Sequence, residues 1–263
     1  MIKPPAFNDY SSLLIIPRQN LINHRRDDEN LRPKKTAKKF KMSASTLRNY
    51  EAKGLIPPAE RSSNGYRTYT IQHEMYLACI QAMAPAFGME VTTGVLHSLQ
   101  RGEWDNALWI VREKEVSLYE EKKKVEQLKR ELEEYSITGQ GFSNEERFSI
   151  HDVSLQTGVN KSAIRYWEKD GFFTAERNTE NDYRLYNKAD LVKIGFIQVL
   201  QNCVYSDDTV ALKQSIKMLD QHNLEEVSKL ADQVLIYLNK TIRSQMRAIS
   251  HLYQLVEYQN KNR

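Results

Sequence analysis

The chain has 263 residues, of which 40% are hydrophobic, and this is enough for two domains with packed cores. Glycine (10) and proline (7) are scarce, which favours helices over many short strands, and the net charge is only +4. No stretch approaches the roughly 20 apolar residues of a membrane span, and two cysteines are too few for a disulfide framework. We therefore expect a cytoplasmic protein that contacts no membrane.

Two parts of the chain are similar at a gapless offset of 117 residues. Thr46–Ile56 (TLRNYEAKGLI) lies over Ala163–Phe173 (AIRYWEKDGFF), and Asn64–Tyr69 (NGYRTY) lies over Asn181–Tyr186 (NDYRLY). Solenoid repeats have far shorter periods. The offset therefore indicates a duplicated domain.

Each copy is predicted to begin with a helix-turn-helix. Ser43 is expected to cap the second helix, Ala44–Lys53, and Gly54 is expected to end it. Asn160 and Gly171 hold the equivalent places in the second copy. Two short helices joined by a tight turn are typical of proteins that read DNA.

The exposed face of this second helix is expected to carry the chemistry. Leu47 and Tyr50 are spaced i, i+3 and pack inward, so Arg48 points outward, as Arg165 does in the second copy. In a DNA major groove, Arg pairs with guanine and Asn pairs with adenine. A single Arg would be interpreted as an ordinary surface charge, but this one recurs at the same helix position. The predicted DNA-facing residues are Ser45, Arg48 and Asn49 in the first copy, and Lys161, Ser162, Arg165 and Tyr166 in the second.

A β-hairpin wing is predicted after each helix-turn-helix. Ser62–Gly65 is a hairpin turn signal with strand-like flanks. Alternate residues of a strand share a face, so we expect Arg67 and Tyr69 to grip phosphates together while Tyr66 closes the core. The alternative, in which both tyrosines only pack the wing, stays open.

A long helix is predicted to follow each copy, at Asp105–Tyr135 and Leu224–Gln259. Apolar residues recur with a period of seven in the first and form a stripe in the second. Lys and Glu crowd the other faces of the first, as in a coiled coil. The predicted coiled-coil residues are Val111, Leu118, Val125, Leu128 and Leu132, and Leu224, Val234, Leu238 and Leu252.

The expected fold class is mainly α, with two winged helix-turn-helix domains, each followed by a long coiled-coil helix. The expected order is a flexible tail at 1–30, the first domain at 31–103, its helix at 104–137, a linker at 138–146, the second domain at 147–220 and its helix at 221–263.

The combined motif resembles the MerR family of winged-helix transcription regulators. It reads R-x-[YW]-E-x-x-G-[LF], then an Arg, then [GD]-Y-R-x-Y, and the resemblance covers about 31–102 and 148–219. It implies binding of double-stranded DNA, antiparallel pairing of the long helices, and control of transcription by RNA polymerase at a promoter. The DNA-contacting positions so implied are Arg48, Arg67 and Tyr69, and Arg165, Tyr166, Arg184 and Tyr186. The wing arginines Arg61 and Arg177 complete the predicted set.

The two copies differ in ways that predict unequal DNA binding. Residues 31–70 hold ten Lys and Arg against two Asp and Glu, a net charge of +8, whereas 148–187 hold five against six, a net charge of −1. Asn49 stands where the family usually has Tyr. Asp182 replaces the glycine of the wing turn, which predicts weaker phosphate attraction by the second wing.

Several alternatives stay open at this stage. The chain is either a single-chain pseudo-dimer reading an imperfect palindrome or an ordinary homodimer. It is either a sequence-specific regulator, an architectural DNA-binding protein, or a regulator whose second domain binds a protein. Cys79 and Cys203 are expected to be buried core thiols, and the six histidines show no ligand spacing. We therefore predict no enzyme activity, no cofactor and no metal, and a location with the nucleoid.

Overall fold

The computed structural model describes residues 33–138, 146–220 and 223–262. The fold is mainly α-helical, as predicted. The predicted tail at 1–30 and most of the predicted linker at 138–146 lie outside the described residues. Within the described ranges, no helix combines the length and the apolar character needed to cross a membrane.

Among the described residues the two halves have the same order of elements, except that the second half begins with an additional strand. The first half contains α1 (Pro33–Lys39), α2 (Ala44–Ala52), β1 (Glu60–Arg61), β2 (Arg67–Thr68), α3 (Ile71–Phe87), α4 (Met89–Gln100) and α5 (Trp104–Thr138). The second half contains β3 (Phe148–Ser149), α6 (Ile150–Thr157), α7 (Lys161–Lys169), β4 (Glu176–Arg177), β5 (Arg184–Tyr186), α8 (Lys188–Gln201), α9 (Asp207–Met218) and α10 (Leu224–Lys261). We call α1–α4 with their strands the first head, and β3–α9 the second head.

The ends of α2 and α7 are those that the sequence predicts. The Ser43 hydroxyl and the Asn160 side-chain oxygen each accept a hydrogen bond from the backbone N–H three residues on, at 3.0 and 2.9 Å. Just beyond the helices, Gly54 and Gly171 have φ of 65° and 82°. This left-handed backbone suits glycine because it has no Cβ. The predicted caps are confirmed.

Both wings are antiparallel hairpins, but their turns differ in length. Arg61 pairs with Arg67 across the first wing, and Arg177 pairs with Arg184 across the second. Five residues lie between the first pair and six between the second. The frame of 117 residues would instead match Arg61 with Asn178, so the prediction of a gapless repeat is wrong within the wing.

The two long helices pack against each other in opposite directions. Val111, near the start of α5, shares a buried core with Leu252, near the end of α10. Leu132, near the end of α5, shares the other buried core with Val227, near the start of α10. Among the described residues there are therefore two hydrophobic cores, one around each head, and each contains part of both long helices.

Each long helix also contacts the head of the other half. On α10, the Gln259 side chain donates a hydrogen bond to the Tyr76 hydroxyl of α3 at 2.8 Å. On α5, Glu121 accepts a hydrogen bond from Asn202, which follows α8, at 2.7 Å. The predicted coiled-coil residues Val111, Val125, Leu132, Val234, Leu238 and Leu252 are buried, and Leu118, Leu128 and Leu224 are partly buried.

The two thiols lie in different surroundings. Cys79 is fully buried in α3, as predicted, and burial raises its pKa to about 12. Cys203 is only partly buried because α8 ends at Gln201 and the chain leaves the core there. The prediction of a buried core thiol is therefore wrong for Cys203, although partial burial still raises its pKa to about 11.

Candidate nucleic-acid interface

The helix α2 presents a polar face away from the first core. Leu47 is fully buried on the inner side, whereas Arg48 and Asn49 are exposed. Ser45 is exposed too, but its hydroxyl forms a hydrogen bond with the Ser43 hydroxyl at 2.7 Å and so supports the start of the helix. Arg48 and Asn49 are the side chains on this face that can form paired hydrogen bonds with base edges.

The helix α7 has the same design with different outer residues. Ile164 and Trp167 are buried beneath it. The residues predicted to face DNA are all exposed, namely Lys161, Ser162, Arg165 and Tyr166. Where the first head offers the Asn49 amide, the second offers the Tyr166 ring, which favours apolar contact over a paired amide contact.

A glutamate on each of these helices holds the arginine of the neighbouring wing. Arg67 Nε donates to Glu51 Oε2 at 2.7 Å, and Arg184 Nε donates to Glu168 Oε2 at 2.7 Å. The hydrogen bond and the charge of Glu168 raise the pKa of Arg184. Each pair holds a wing close to its helix. Because the Nε–H is used in the ion pair, a contact of Arg67 or Arg184 with phosphate must use the remaining N–H groups of the guanidinium.

This ion pair is a structural feature that was not predicted from the sequence. Glu51 and Glu168 were aligned by the repeat, as were Arg67 and Arg184, but no contact between them was predicted. The signal was present, since both the glutamate and the arginine recur in the same frame in the two copies.

The predicted orientation of the wing tyrosines is wrong. Tyr69 and Tyr186 are fully buried and cannot reach a phosphate from the surface, whereas Tyr66 and Tyr183 are 71% and 72% exposed. Of these four tyrosines only Tyr186 lies within a strand, and β2 and β5 have only two and three residues, so the alternation of faces along a strand is a poor guide here. The exposed aromatic side chains of the wings therefore lie three residues earlier in the chain than predicted.

The buried tyrosines serve the cores of the heads. Tyr69 packs edge-on against His73 with ring centroids 5.3 Å apart, and Tyr186 packs against Phe173 at 6.0 Å. Burial raises the pKa of Tyr69, and it raises the pKa of Tyr186 to about 12. Both phenols are therefore uncharged at neutral pH.

The outer wing arginines brace the wing turns. Arg61 donates to the Gly65 carbonyl at 3.1 Å, and Arg177 donates to the Asp182 carbonyl at 3.0 Å. Arg177 also lies 3.7 Å from the Asp182 carboxylate, a contact that Gly65 cannot provide. The positive charge is therefore less available to a polyanion on the second wing than on the first.

Two family models match the chain. Residues 32–69 match the MerR family regulatory protein, and residues 148–211 match the MerR HTH family regulatory protein. Each match includes one helix-turn-helix and one wing. Two separate segments of the chain therefore match MerR-family models, so the MerR-type DNA-binding domain is duplicated.

Three proteins are similar to parts of this chain. The mercuric resistance operon regulatory protein of Shigella flexneri is 26% identical over 110 residues, which are 42% of this chain and 72% of the relative. The HTH-type transcriptional regulator CueR of Salmonella typhi is 46% identical over 55 residues, 20% of this chain and 40% of the relative. The Type II methyltransferase M.Eco47II of Escherichia coli is 36% identical over 64 residues, 24% of this chain and 15% of the relative.

The chain spans less than two thirds of the length of CueR and of the methyltransferase. No solved structure matches it. Among the described residues, no group of three or more His, Cys, Asp and Glu side chains is placed to hold a metal ion. The duplicated MerR-type domain is therefore the strongest indication of function.

Proposed function

We propose that this MerR-family chain is a sequence-specific regulator of transcription that binds double-stranded DNA through both heads. The observation that carries the proposal is one set of side chains that recurs on both heads. An exposed arginine, Arg48 or Arg165, stands at the same place on α2 and α7, beside a wing arginine tied to that helix. The helix arginines suit base edges in the major groove, and the wing arginines suit phosphates.

The same set defines the proposed contact residues. Exposure supports Ser45, Arg48, Asn49, Lys161, Ser162, Arg165 and Tyr166 on the helices, and Arg61 and Arg177 on the wings. We add Tyr66 and Tyr183, which are exposed at the wing turns. The proposed domain limits are 31–103 and 147–220 for the heads, with the long helices at 104–137 and 221–263.

We further propose that one chain acts as the dimer that MerR-family regulators normally form from two. The Lys129 ammonium on α5 donates to the Asp232 carboxylate on α10 at 2.5 Å, and the apolar residues of both helices lie in common cores. These contacts support pairing within one chain over pairing between chains. Each half of an imperfect palindrome then meets a different recognition helix.

A second candidate function is supported by the charge of the second head. Its segment 148–187 has a net charge of −1, and Arg177 is held by Asp182. Such a head is better suited than the first to contact a protein, for example RNA polymerase at the promoter. In either case the protein acts in the cytoplasm at the nucleoid.

The first experiment is selection of randomised DNA duplexes by the intact chain, followed by sequencing of the enriched pool. A two-part motif with unlike halves at a fixed spacing supports a regulator that reads DNA with both heads. A single short half-site means that only one head reads DNA. Binding without enrichment, with a steep dependence on salt, supports an architectural protein instead.

Paired variants assign the half-sites to heads. Arg48→Ala with Arg67→Ala removes the two arginines of the first head, and Arg165→Ala with Arg184→Ala removes those of the second. If both pairs weaken binding to the selected duplex, both heads contact DNA. If only the first pair does so, the second head is the protein-binding module.

A further inference from the structure

The difference in charge between the two heads comes mostly from one short segment. Residues 34–41 hold five of the ten Lys and Arg of segment 31–70 and no acidic residue, whereas the equivalent residues 151–158 hold no Lys or Arg and one Asp. The segment 34–41 comprises most of α1 and the start of the turn that leads to α2. Much of the positive charge of the first head therefore lies just before the helix that carries Arg48.

Lys41, in this turn, has a backbone conformation that is unfavourable for lysine. Its φ is 48°, and Gly158, its equivalent in the second copy, has φ of 70°. A left-handed backbone strains a residue with a Cβ, and glycine has none. A Cβ built on Gly158 would meet no heavy atom within 4 Å, so the backbone alone makes glycine the better residue there. Strained positions of this kind are most common at functional sites.

The Lys41 side chain has no structural role that would explain the strain. It is exposed, and the structure pairs its ammonium with no carboxylate among the residues it describes. Lys34 and Lys38 are exposed on α1 in the same way, whereas Lys39 is held by Glu74 at 2.6 Å. Three ammonium groups of the segment are therefore available to a polyanion.

The position of the turn relative to α2 brings Lys41 close to bound DNA. Two residues after Lys41, the Ser43 hydroxyl caps the start of α2, and Arg48 and Asn49 lie on the exposed face of that helix. When a helix-turn-helix docks, the N-terminal part of its second helix enters the major groove and its first helix crosses the phosphate backbone. In that arrangement the turn between the two helices lies over the phosphates.

We propose that Lys41 contacts a DNA phosphate, and that this contact is the reason why a lysine occupies the left-handed position in the first head. The proposal rests on the DNA binding proposed above. Lys34 and Lys38 extend the same positive surface along α1. Because phosphate contacts position a protein without specifying sequence, Lys41 adds affinity to the first head but no base preference. The second head, with Gly158, lacks this contact.

Lys41→Gly introduces the residue of the second copy and should change stability and DNA affinity in opposite directions. We expect the Tm to rise by about 2–4 °C because the strain is relieved. At about 0.15 M salt the affinity for the selected duplex should fall about three- to tenfold, and the slope of log Kd against log salt concentration should fall by about 0.9, the value for one phosphate contact. Wild-type affinity and slope would overturn the contact. An unchanged or lower Tm would overturn the claim that lysine is the less stable residue at this position.

Two control variants separate the contact from a general effect of charge. Lys41→Arg keeps both the charge and the Cβ, so its affinity, slope and Tm should stay close to those of the wild type. Lys114→Ala removes the same charge from an exposed site on α5, where the structure also shows no carboxylate partner among the residues it describes. Equal losses of affinity in Lys114→Ala and Lys41→Gly would attribute the effect to net charge and overturn the contact.

A scrambled duplex of the same length separates this contact from the proposed function. A phosphate contact predicts that Lys41→Gly weakens binding to the selected and the scrambled duplex by the same factor, and a loss confined to the selected duplex would contradict it. If selection enriches no sequence but Lys41→Gly still weakens binding to a duplex of mixed sequence, sequence-specific regulation fails while the contact stands. If the wild type binds no duplex, both fail.

Discussion

At the scale of single residues, Arg48 and Arg165 occupy one position on two helices but have different neighbours. Arg48 stands beside the Asn49 amide in a segment of net charge +8, and Arg165 stands beside the Tyr166 ring in a segment of net charge −1. In the proposed interface, the same guanidinium therefore lies in a more positive potential on the first head than on the second. Its contribution to binding should differ between the heads.

Arg48→Ala should weaken binding to the selected duplex more than Arg165→Ala. We expect Arg48→Ala to lower the affinity for DNA about tenfold or more, which is the contribution of one paired hydrogen-bond contact with a base. Arg165→Ala should lower the affinity less. Fluorescence anisotropy at one fixed salt concentration measures both. Lys123→Ala, on the exposed side of α5, removes the same charge, and an equal loss in all three variants would attribute the effect to net charge alone.

Glu51→Gln tests whether the ion pair positions the wing. Removal of a negative charge should by itself favour binding to DNA, so weaker binding would show that Arg67 needs Glu51 to hold it in place. We expect several-fold weaker binding and a loss of stability of at most about 1 kcal/mol, since the pair is partly exposed. Glu60→Gln removes the same charge from an exposed site on β1, and tighter binding in both variants would contradict a positioning role.

The residues of the candidate site were predictable to different degrees. Ser43, Asn160 and the exposed arginines followed from the sequence because caps and helix faces depend on residues within one or two turns. The buried and exposed positions of Tyr66 and Tyr69 were predicted the wrong way round, because a strand of two residues does not define which face points inward. The partner of Arg67 lies 16 residues away on another element, and only the folded head brings it within reach.

At the scale of elements, one glycine lies just after the end of α7 and another lies inside α8, and the two have opposite effects on stability. Gly171 has φ of 82° after α7, with no heavy atom within 4 Å of an added Cβ. Gly195 lies inside α8 with ordinary helical backbone and the same open space. Only the backbone conformation distinguishes the two sites.

Gly171→Ala and Gly195→Ala should therefore change stability in opposite directions. We expect Gly171→Ala to lower the free energy of unfolding by roughly 1–2 kcal/mol, because the left-handed backbone strains a residue with a Cβ. Gly195→Ala should raise it by up to about 1 kcal/mol. Urea unfolding measures both, and a stabilised Gly171→Ala would show that the end of α7 does not require glycine.

The start of α8 makes stability depend on pH through Asp190. This buried carboxylate accepts a hydrogen bond from the Asn187 backbone N–H, yet burial raises its pKa to about 6. The folded state therefore holds a proton that the unfolded state has released, and stability decreases as pH rises from about 4 to 6. At neutral pH the side chain is mostly ionised in the folded state as well, and the burial of this charge lowers the stability of the fold.

Asp190→Asn should remove this part of the pH dependence, because the amide oxygen still accepts the hydrogen bond from Asn187 but does not titrate. Relative to the wild type, the variant should become more stable as the pH rises. Between pH 4 and pH 7 its free energy of unfolding should gain on the order of 2 kcal/mol over that of the wild type. Urea unfolding at several pH values measures it. A constant difference across this range would contradict an elevated pKa.

At the scale of the whole molecule, the proposed pairing of α5 with α10 predicts a monomer. Light scattering of the free protein at low micromolar concentration should give a mass near 30.7 kDa. A stable species of twice that mass would support a homodimer. Heptads alone could not predict this partner because an apolar stripe on one helix fits a similar stripe on any other helix.

Joining the two halves in one polypeptide also changes how the regulator responds to its own abundance. A regulator assembled from separate subunits loses its dimers on dilution, so occupancy of its operator falls steeply when expression is low. With both halves on one chain, the second head is always at high effective concentration beside the first. For the proposed single-chain regulator, operator occupancy therefore follows gene expression without a separate step of subunit assembly.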